Sequence, residues 1–425
     1  MLREQADVQN WTTAPQTANF ERMKTNGHRA VVTGLGVLAP NGTGRDAFWH
    51  TLVHGESGIG PLTLFDAGDL PCRIGGEVKG FDPLAYIDAK LKPHKRMSRA
   101  AQLGIAAAKL ALCDAGLTNE ELRNYAETPV MMGVSTSAMD LFAEAPTMFT
   151  AAASVPHAVG SSVAYTLGFE AKLHTISNGC ASGLDAIAAA TLQIRRMNKD
   201  IALAGASDAA ITRYVFEGFA KSRKLSLRND DPEHASRPFD KDRDGGLISE
   251  GAAILVIENR DHALARGAHI YAEIIGYGTA ADPPGSMEAA GLSSAMRKAL
   301  AHAFKRPEQI DHINAHAPSD KHMDVAELRL IREVFGSAAE RIPVTSVKGA
   351  TGNAMAVGGV HQTVAAVLTL DRQLIPPTAN LEHPDPDCDL DCVYGQARHA
   401  MLETVLVNSH GFGRGNSAIV LSRLD

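Results

Sequence analysis

The chain has 425 residues, 45% hydrophobic and 21% charged, with 41 basic against 48 acidic side chains for a net charge of -7. That length suits two domains or one large duplicated one. The acidic balance offers nothing that calls for nucleic acid, and no apolar run reaches the ~18 residues a membrane helix needs.

Residues 1–27 are polar, lack the apolar centre of a signal peptide and read as a loose N-terminal arm. Residues 29–37 read as a strand ending in Gly34-Leu35-Gly36. No third glycine follows, so a dinucleotide site is discounted. Residues 94–117 form an Ala-rich amphipathic helix closed by Gly116. Residues 128–134 are a buried strand, and the mixed stretch 141–165 is helical, lining an interface or a pocket. A β-branched run at 173–176 reads as another buried strand.

Next comes Asn178-Gly179-Cys180-Ala181-Ser182-Gly183, followed by a small-residue helix to residue 197. A cysteine at such a strand-to-helix elbow faces the first free N–H groups of the helix. Their partial charge favours the thiolate, the form that attacks a thioester carbonyl. Strands at 200–206 and 252–258 close a first half, 28–265. The second half, 266–425, begins again. Its opening strand, 269–278, also ends in Gly-x-Gly, and its last strand, near 418–422, repeats the shape of 253–257. Helices at 289–304, 323–335 and 354–370 alternate with strands at 310–315 and 342–347. The pattern implies a duplicated α/β protein with mostly parallel sheets covered on both faces.

The five cysteines (72, 113, 180, 388, 392) are irregularly spaced, which argues for a reducing cytoplasm over a disulfide framework. Cys388 and Cys392 read as part of a surface loop, and Asp320, His322 and Asp324 as a solvated turn; neither has the spacing of a metal site. Four stretches line up with Cys180. His316 ends a strand, at the sheet edge where ligands bind in open α/β folds. Ser346 to Ala354 is a Gly-rich turn containing Lys348 and feeding a helix. Asn408 to Asn416 is a loop with three glycines whose N–H groups suit an oxyanion. Arg237 to Gly245 is a charged turn.

Together these residues resemble the elongating β-ketoacyl carrier-protein synthases of the thiolase fold, over essentially the whole chain from residue 29. The motifs are Gly179-Cys180-Ala181-Ser182-Gly183, Ser236 to Gly245, Asn314-Ala315-His316, Lys348, Thr351-Gly352 and Asn408-Ser409-x-Gly411-Phe412-Gly413. The resemblance implies a duplicated five-layer αβαβα architecture and a homodimer or related heterodimer. It implies an acyl chain carried as a thioester on Cys180, with the Cys180 and Phe412 N–H groups as oxyanion hole. His316 and Lys348 match the family's catalytic histidine and lysine, and Glu327 the acid that pairs with that lysine. Ser137, Ser319 and His410 are the substrate-binding candidates. Substrate arrives on the phosphopantetheine arm of a carrier protein; no other cofactor and no metal is implied.

The departures concern the extension machinery. Asn353 stands where the family's second histidine follows Thr-Gly, leaving one imidazole to hold a malonyl carbonyl during decarboxylation. His316-Ala317-Pro318-Ser319-Asp320 replaces a His-Gly-Thr-x-Thr run whose hydroxyls bond the phosphopantetheine arm, and Asp320 brings an acceptor or a general base. His410 replaces an apolar aromatic of the acyl pocket. Three functions are compatible with this set. The first is an intramolecular aldol and β-lactone-forming cyclisation in polyketide or antibiotic biosynthesis, with His316 or Asp320 as base; it is similar to the bicyclising ketosynthase of the salinosporamide type. The second is ordinary decarboxylative elongation, using Cys180, His316 and Asn353. The third is a non-catalytic heterodimer partner.

Overall fold

The computed structural model describes residues 28–125, 127–143, 147–286 and 289–424; the N-terminal arm, 1–27, lies outside the described residues. Ten strands form one path: β1 (Ala30–Ala39), β2 (Thr128–Gly133), β3 (Ala171–Ile176), β4 (Ile201–Asp208), β5 (Gly251–Asn259), β6 (Ala272–Ala281), β7 (His312–Asn314), β8 (Val344–Thr345), β9 (Thr404–Gly411) and β10 (Gly415–Ser422). Their order is β8-β7-β9-β10-β6-β1-β5-β4-β2-β3, with a two-residue strand, Gly42–Thr43, folded back on β1. Outward from the centre, each half runs first, fifth, fourth, second, third strand. The halves meet antiparallel at β1 and β6, where Val31 lies opposite Glu273. This repeated order is the duplication that the matching end strands pointed to.

Six helices build the layers and position the site: α1 (Arg99–Asp114), α2 (Ser182–Met197), α3 (Arg213–Ser222), α4 (Gly291–Ala303), α5 (Met323–Phe335) and α6 (Gly358–Arg372). In the middle layer, Leu184, Ile187 and Ile194 of α2 share a core with Val360, Val364 and Leu368 of α6. Leu103 and Leu112 of α1 pack on Val130 and Leu203 outside the first half. Leu292 and Met296 of α4, with Leu328 and Ile331 of α5, pack on Ile313 and Leu406 outside the second. Helix, sheet, helix pair, sheet, helix gives the five layers. The two Gly-x-Gly strands serve this packing. A Cβ at Gly36 would lie 1.9 Å from the Ala107 carbonyl, and one at Gly278 2.2 Å from that of Ala295. Each pair lets an outer helix press its backbone onto a strand.

Several expectations are corrected. The sheet is mixed: β2 pairs parallel with β3 and β4, and β7 with β8 and β9, but the central pairings are antiparallel. Residues 408–416 are no open loop. They are the tip of a β9–β10 hairpin with Gly411 opposite Gly415, so two strands join without a helical crossover. The run at 173–176 is an edge strand, not a buried one; Leu173 is 40% exposed. The 94–117 helix breaks at Met97, where the Ser98 hydroxyl caps a fresh start by accepting from Ala101 N–H. Cys388 and Cys392 are buried in the second half's outer core, which pushes both thiols up in pKa. Among the described residues no helix is long and apolar enough to cross a membrane.

Candidate active site

The elbow before α2 is stapled by one side chain. Ser182 Oγ donates to the Gly179 carbonyl at 2.6 Å and accepts from Asn178 N–H at 2.7 Å. Gly179 sits at φ 57, and a Cβ there would lie 2.5 Å from the Phe412 carbonyl. The hairpin tip of the second half therefore lies directly on the Cys180 turn. Cys180 is nearly buried, yet it lines a cavity together with His316, Asn353, His410 and Phe412. Burial pushes the thiol pKa up; Lys348, the Asn353 amide at 3.9 Å and the Phe412 N–H pull against that without reversing it. The helix terminus favours a more acidic thiol, and burial acts in the opposite direction.

His316 follows β7 by two residues and is buried. Burial, then Lys348 and His410, hold its pKa well below the ordinary value, so the ring is neutral. Lys348 Nζ donates to the His316 carbonyl, stands 3.2 Å from Gln362 Oε1 and 3.3 Å from His316 Nδ1. Burial lowers the lysine to about 8, with Glu327 and Cys180 opposing. An ammonium has no lone pair to offer, so Nδ1 accepts and Nε2 carries the proton. His316 thus carries its proton on Nε2, the ring nitrogen that does not meet Lys348. Ser409 Oγ donates to the Cys180 carbonyl at 3.1 Å, tying the hairpin to the elbow.

Glu327 does not pair directly with Lys348 as expected. Both its oxygens accept backbone N–H groups, from His316 and Ala317, each at 2.7 Å. It holds the His316 turn, and Lys348 feels it only through its charge. Asp320 lines the cavity but is no free base. Its carboxylate accepts from His322 N–H, Met323 N–H and Lys224 Nζ, which outweigh burial and hold it below the usual carboxylate range. Of the expected solvated turn, His322 is exposed and Asp320 half-buried, but Asp324 is fully buried beside Arg243.

Ser319 and Ser137 do not reach the cavity wall. Ser319 Oγ accepts Arg237 N–H at 3.0 Å, and Ser137 Oγ donates to the Ser154 carbonyl at 3.1 Å. His410 does reach it. Its ring meets His316 edge to face, centroids 6.2 Å apart, and its Nδ1 is 2.8 Å from Asn416 Oδ1.

Sequence reasoning missed Lys224, Phe219, Met355 and Asp208. The first three line the cavity. Asp208 is fully buried, pushed up to about 6, and accepts from Ser135, Thr136 and Ala356 N–H. It clamps the first half to the turn after Asn353. A lone Asp ending a strand carries no local signal of that; the amphipathic spacing of α3 could have placed Phe219.

A cysteine at a strand–helix elbow thus shares one cavity with an imidazole and a hairpin tip from the duplicated second half of a thiolase-like fold. Residues 28–263 match the N-terminal domain of β-ketoacyl synthases, and 271–382 match their C-terminal domain. The chain belongs to the β-ketoacyl synthase family and is an enzyme of its acyltransferase type. It is 38% identical to 3-oxoacyl-acyl-carrier-protein synthase 2 of Synechocystis sp., over 96% of this chain and 99% of that protein. Among solved structures, the ishigamide ketosynthase/chain length factor aligns with TM-score 0.85 at 33% identity, covering 94% of this chain and all of that one. A type II polyketide ketosynthase solved with its acyl carrier protein and bound to a hexaketide aligns with TM-score 0.83 at 30% identity, again over 94% and 100%.

Proposed function

We propose that this enzyme receives a functionalised acyl group from a carrier protein onto Cys180 and cyclises it without decarboxylation. An α-proton leaves the bound thioester, the enolate carbon attacks a ketone in the same chain, and the new alkoxide displaces Cys180 as a β-lactone forms. One observation carries this reading. The cavity pairs a single donor imidazole, His316, with the amide of Asn353, and sets a second imidazole, His410, on the acyl wall. Elongation obtains its enolate from CO2 loss and needs no base for an α-proton. An imidazole on that wall serves proton abstraction, a step for which a positioned base is worth ~10²–10⁴-fold. The carrier-protein partner is supported by the likeness to the ketosynthase solved with its acyl carrier protein.

A second reading, decarboxylative elongation in fatty-acid or type II polyketide synthesis, is favoured by the His316–Lys348–Glu327 arrangement. One experiment separates them. With malonyl carrier protein and an acyl donor, CO2 release in step with turnover establishes elongation. Cys180 acylation without CO2 release supports cyclisation. A non-catalytic partner role requires that no donor acylates Cys180.

The assembly we propose is a homodimer through β3. That strand is the open edge of the sheet, and exposed Leu173 lies along it with Tyr165 and Met148 nearby in sequence on helices before it. An open edge strand is a template for a second copy.

A further inference from the structure

We infer that His410, oriented by Asn416, is the proton acceptor of this cavity and that His316 is its proton-donating counterpart. The inference rests on the cyclising reading and names its base.

The assignment follows from which atoms can only accept. Asn416 is buried, and one end of its amide lies 2.7 Å from Asp282 Oδ1 and 3.2 Å from the Ala280 carbonyl. A carboxylate and a carbonyl offer no proton, so that end is the NH2 group. Asn416 Oδ1 therefore faces His410, 2.8 Å from Nδ1. An amide oxygen only accepts, so Nδ1 carries the proton and the lone pair of His410 lies on Nε2. The Asp282 carboxylate also accepts Gly291 N–H at 3.0 Å, which fixes it at the start of α4. The chain Asp282–Asn416–His410 thus selects one tautomer from outside the cavity. The chain Gln362–Lys348–His316 selects the other tautomer for the second ring. Gln362 Nε2 donates to the Asn314, Ala315 and Asn408 carbonyls, which leaves Oε1 for Lys348. Two imidazoles in edge-to-face contact are held in opposite states, one able to take a proton and one able to give a hydrogen bond.

The step balances without a co-reactant. His410 Nε2 takes the α-proton of the Cys180 thioester, and the C–H electron pair becomes that of the enolate. The enolate carbon bonds to the ketone carbon, whose π pair becomes the alkoxide. The alkoxide bonds to the thioester carbon, the C–S bond breaks, and the thiolate takes the proton back from His410. Nothing is oxidised, and neither water nor CO2 enters or leaves.

The test uses the full chain and the 6-oxoheptanoyl thioester of N-acetylcysteamine, whose second and sixth carbons can close a five-membered ring. In D2O, deuterium entering the α-carbon is counted per acylated enzyme, so a variant that acylates slowly is still read. The wild type is expected to exchange and to cyclise. His410→Phe and His410→Gln are expected to lose exchange at least ~100-fold, the lower end of the range for a general base. The phenyl variant restores the aromatic the family places there and guards against misfolding. A wild-type ¹⁵N spectrum is expected to show His410 Nδ1 protonated and Nε2 bare, and Asn416→Leu to mix the two tautomers. Exchange that survives both His410 variants but is lost in His316→Gln overturns this assignment alone. Absence of exchange in acylated wild type, with CO2 released from a malonyl thioester, overturns the cyclising reading as well.

Discussion

Lys224 Nζ donates to the Asp320 carboxylate at 2.9 Å, on the wall of the cavity that holds Cys180. The same carboxylate caps the start of α5, accepting from Met323 N–H at 3.0 Å. A group held this way, below the ordinary carboxylate range, is a weak base. Asp320→Asn is therefore expected to keep deuterium exchange within about threefold. Asn caps nearly as well as Asp, and the lysine is 46% exposed, so the lost ion pair is worth no more than ~1 kcal/mol. Thermal melting and the exchange assay check both halves of this prediction. A loss of exchange near 100-fold would return Asp320 to the role of base.

Asn353→Leu tests how the thiol is activated. The amide at 3.9 Å and the Phe412 N–H both favour the thiolate, against burial that disfavours it. Removing the amide raises the thiol pKa further, so less thiolate is present at any pH below it. Iodoacetamide alkylation of Cys180 is expected to rise with pH in wild type. The variant curve should shift to higher pH and run several-fold slower at pH 8. A shift toward lower pH would contradict the role given to the amide.

The elbow at Cys180 was legible because its residues are local: two glycines, a cysteine and a serine within six residues. The duplication was legible from two Gly-x-Gly strands, though their reason, an outer helix resting on the backbone, emerges only from contacts between Gly36 and Ala107 and between Gly278 and Ala295. The direction of the central strands was not legible. Alternating helices and strands look alike whether a hairpin or a crossover joins them, and the β9–β10 hairpin turns on Phe412, Gly413 and Arg414 between two strand-end glycines, a run that resembles a loop. Roles set by long-range pairing were also hidden. Ser319 and Ser137 carry suitable hydroxyls, but Arg237 N–H, 82 residues away, and the Ser154 carbonyl, 17 residues away, claim them. His410 was visible as a polar intruder; that Asn416 and Asp282 choose its tautomer was not.

Acid stability should depend on His312. Burial alone lowers it to about 3, and its Nε2 is 2.8 Å from Thr345 Oγ1. The folded pKa lies below the unfolded value of 6.5. The contribution is thus fully present above pH 6.5 and is lost as pH falls toward 3. At ~1.4 kcal/mol per pKa unit, several kcal/mol disappear across that window. His312→Gln has no proton to gain. Its stability relative to wild type, measured by urea melts from pH 7 to pH 4, should improve steadily as pH falls. A constant difference would show that His312 does not titrate this way.

The open edge strand predicts the assembly. Leu173→Glu places a charge on β3, a device that natural edge strands use against pairing. Light scattering is expected to give a dimer mass for wild type and a monomer mass for the variant. A wild-type monomer would refute the proposed homodimer.

Gly179 is the position where fold and catalysis are most tightly joined. Its φ of 57 is left-handed backbone, which costs a side-chain residue roughly 1–2 kcal/mol. An added Cβ would also lie 2.5 Å from the Phe412 carbonyl and 3.3 Å from both Phe412 N and Gly411 Cα. All three are backbone atoms, so the hairpin tip has to move. That movement carries the Phe412 N–H away from the sulfur and from any thioester oxygen. Losing one oxyanion donor typically costs ~10²–10³-fold in rate. Gly179→Ala should therefore melt only a few degrees lower yet acylate Cys180 at least ~100-fold more slowly, read by intact mass against time. Iodoacetamide, which forms no oxyanion, should still alkylate the variant's thiol within about tenfold of wild type. Equal losses in both reactions would mean that the alanine has closed the cavity, not that it has displaced the donor.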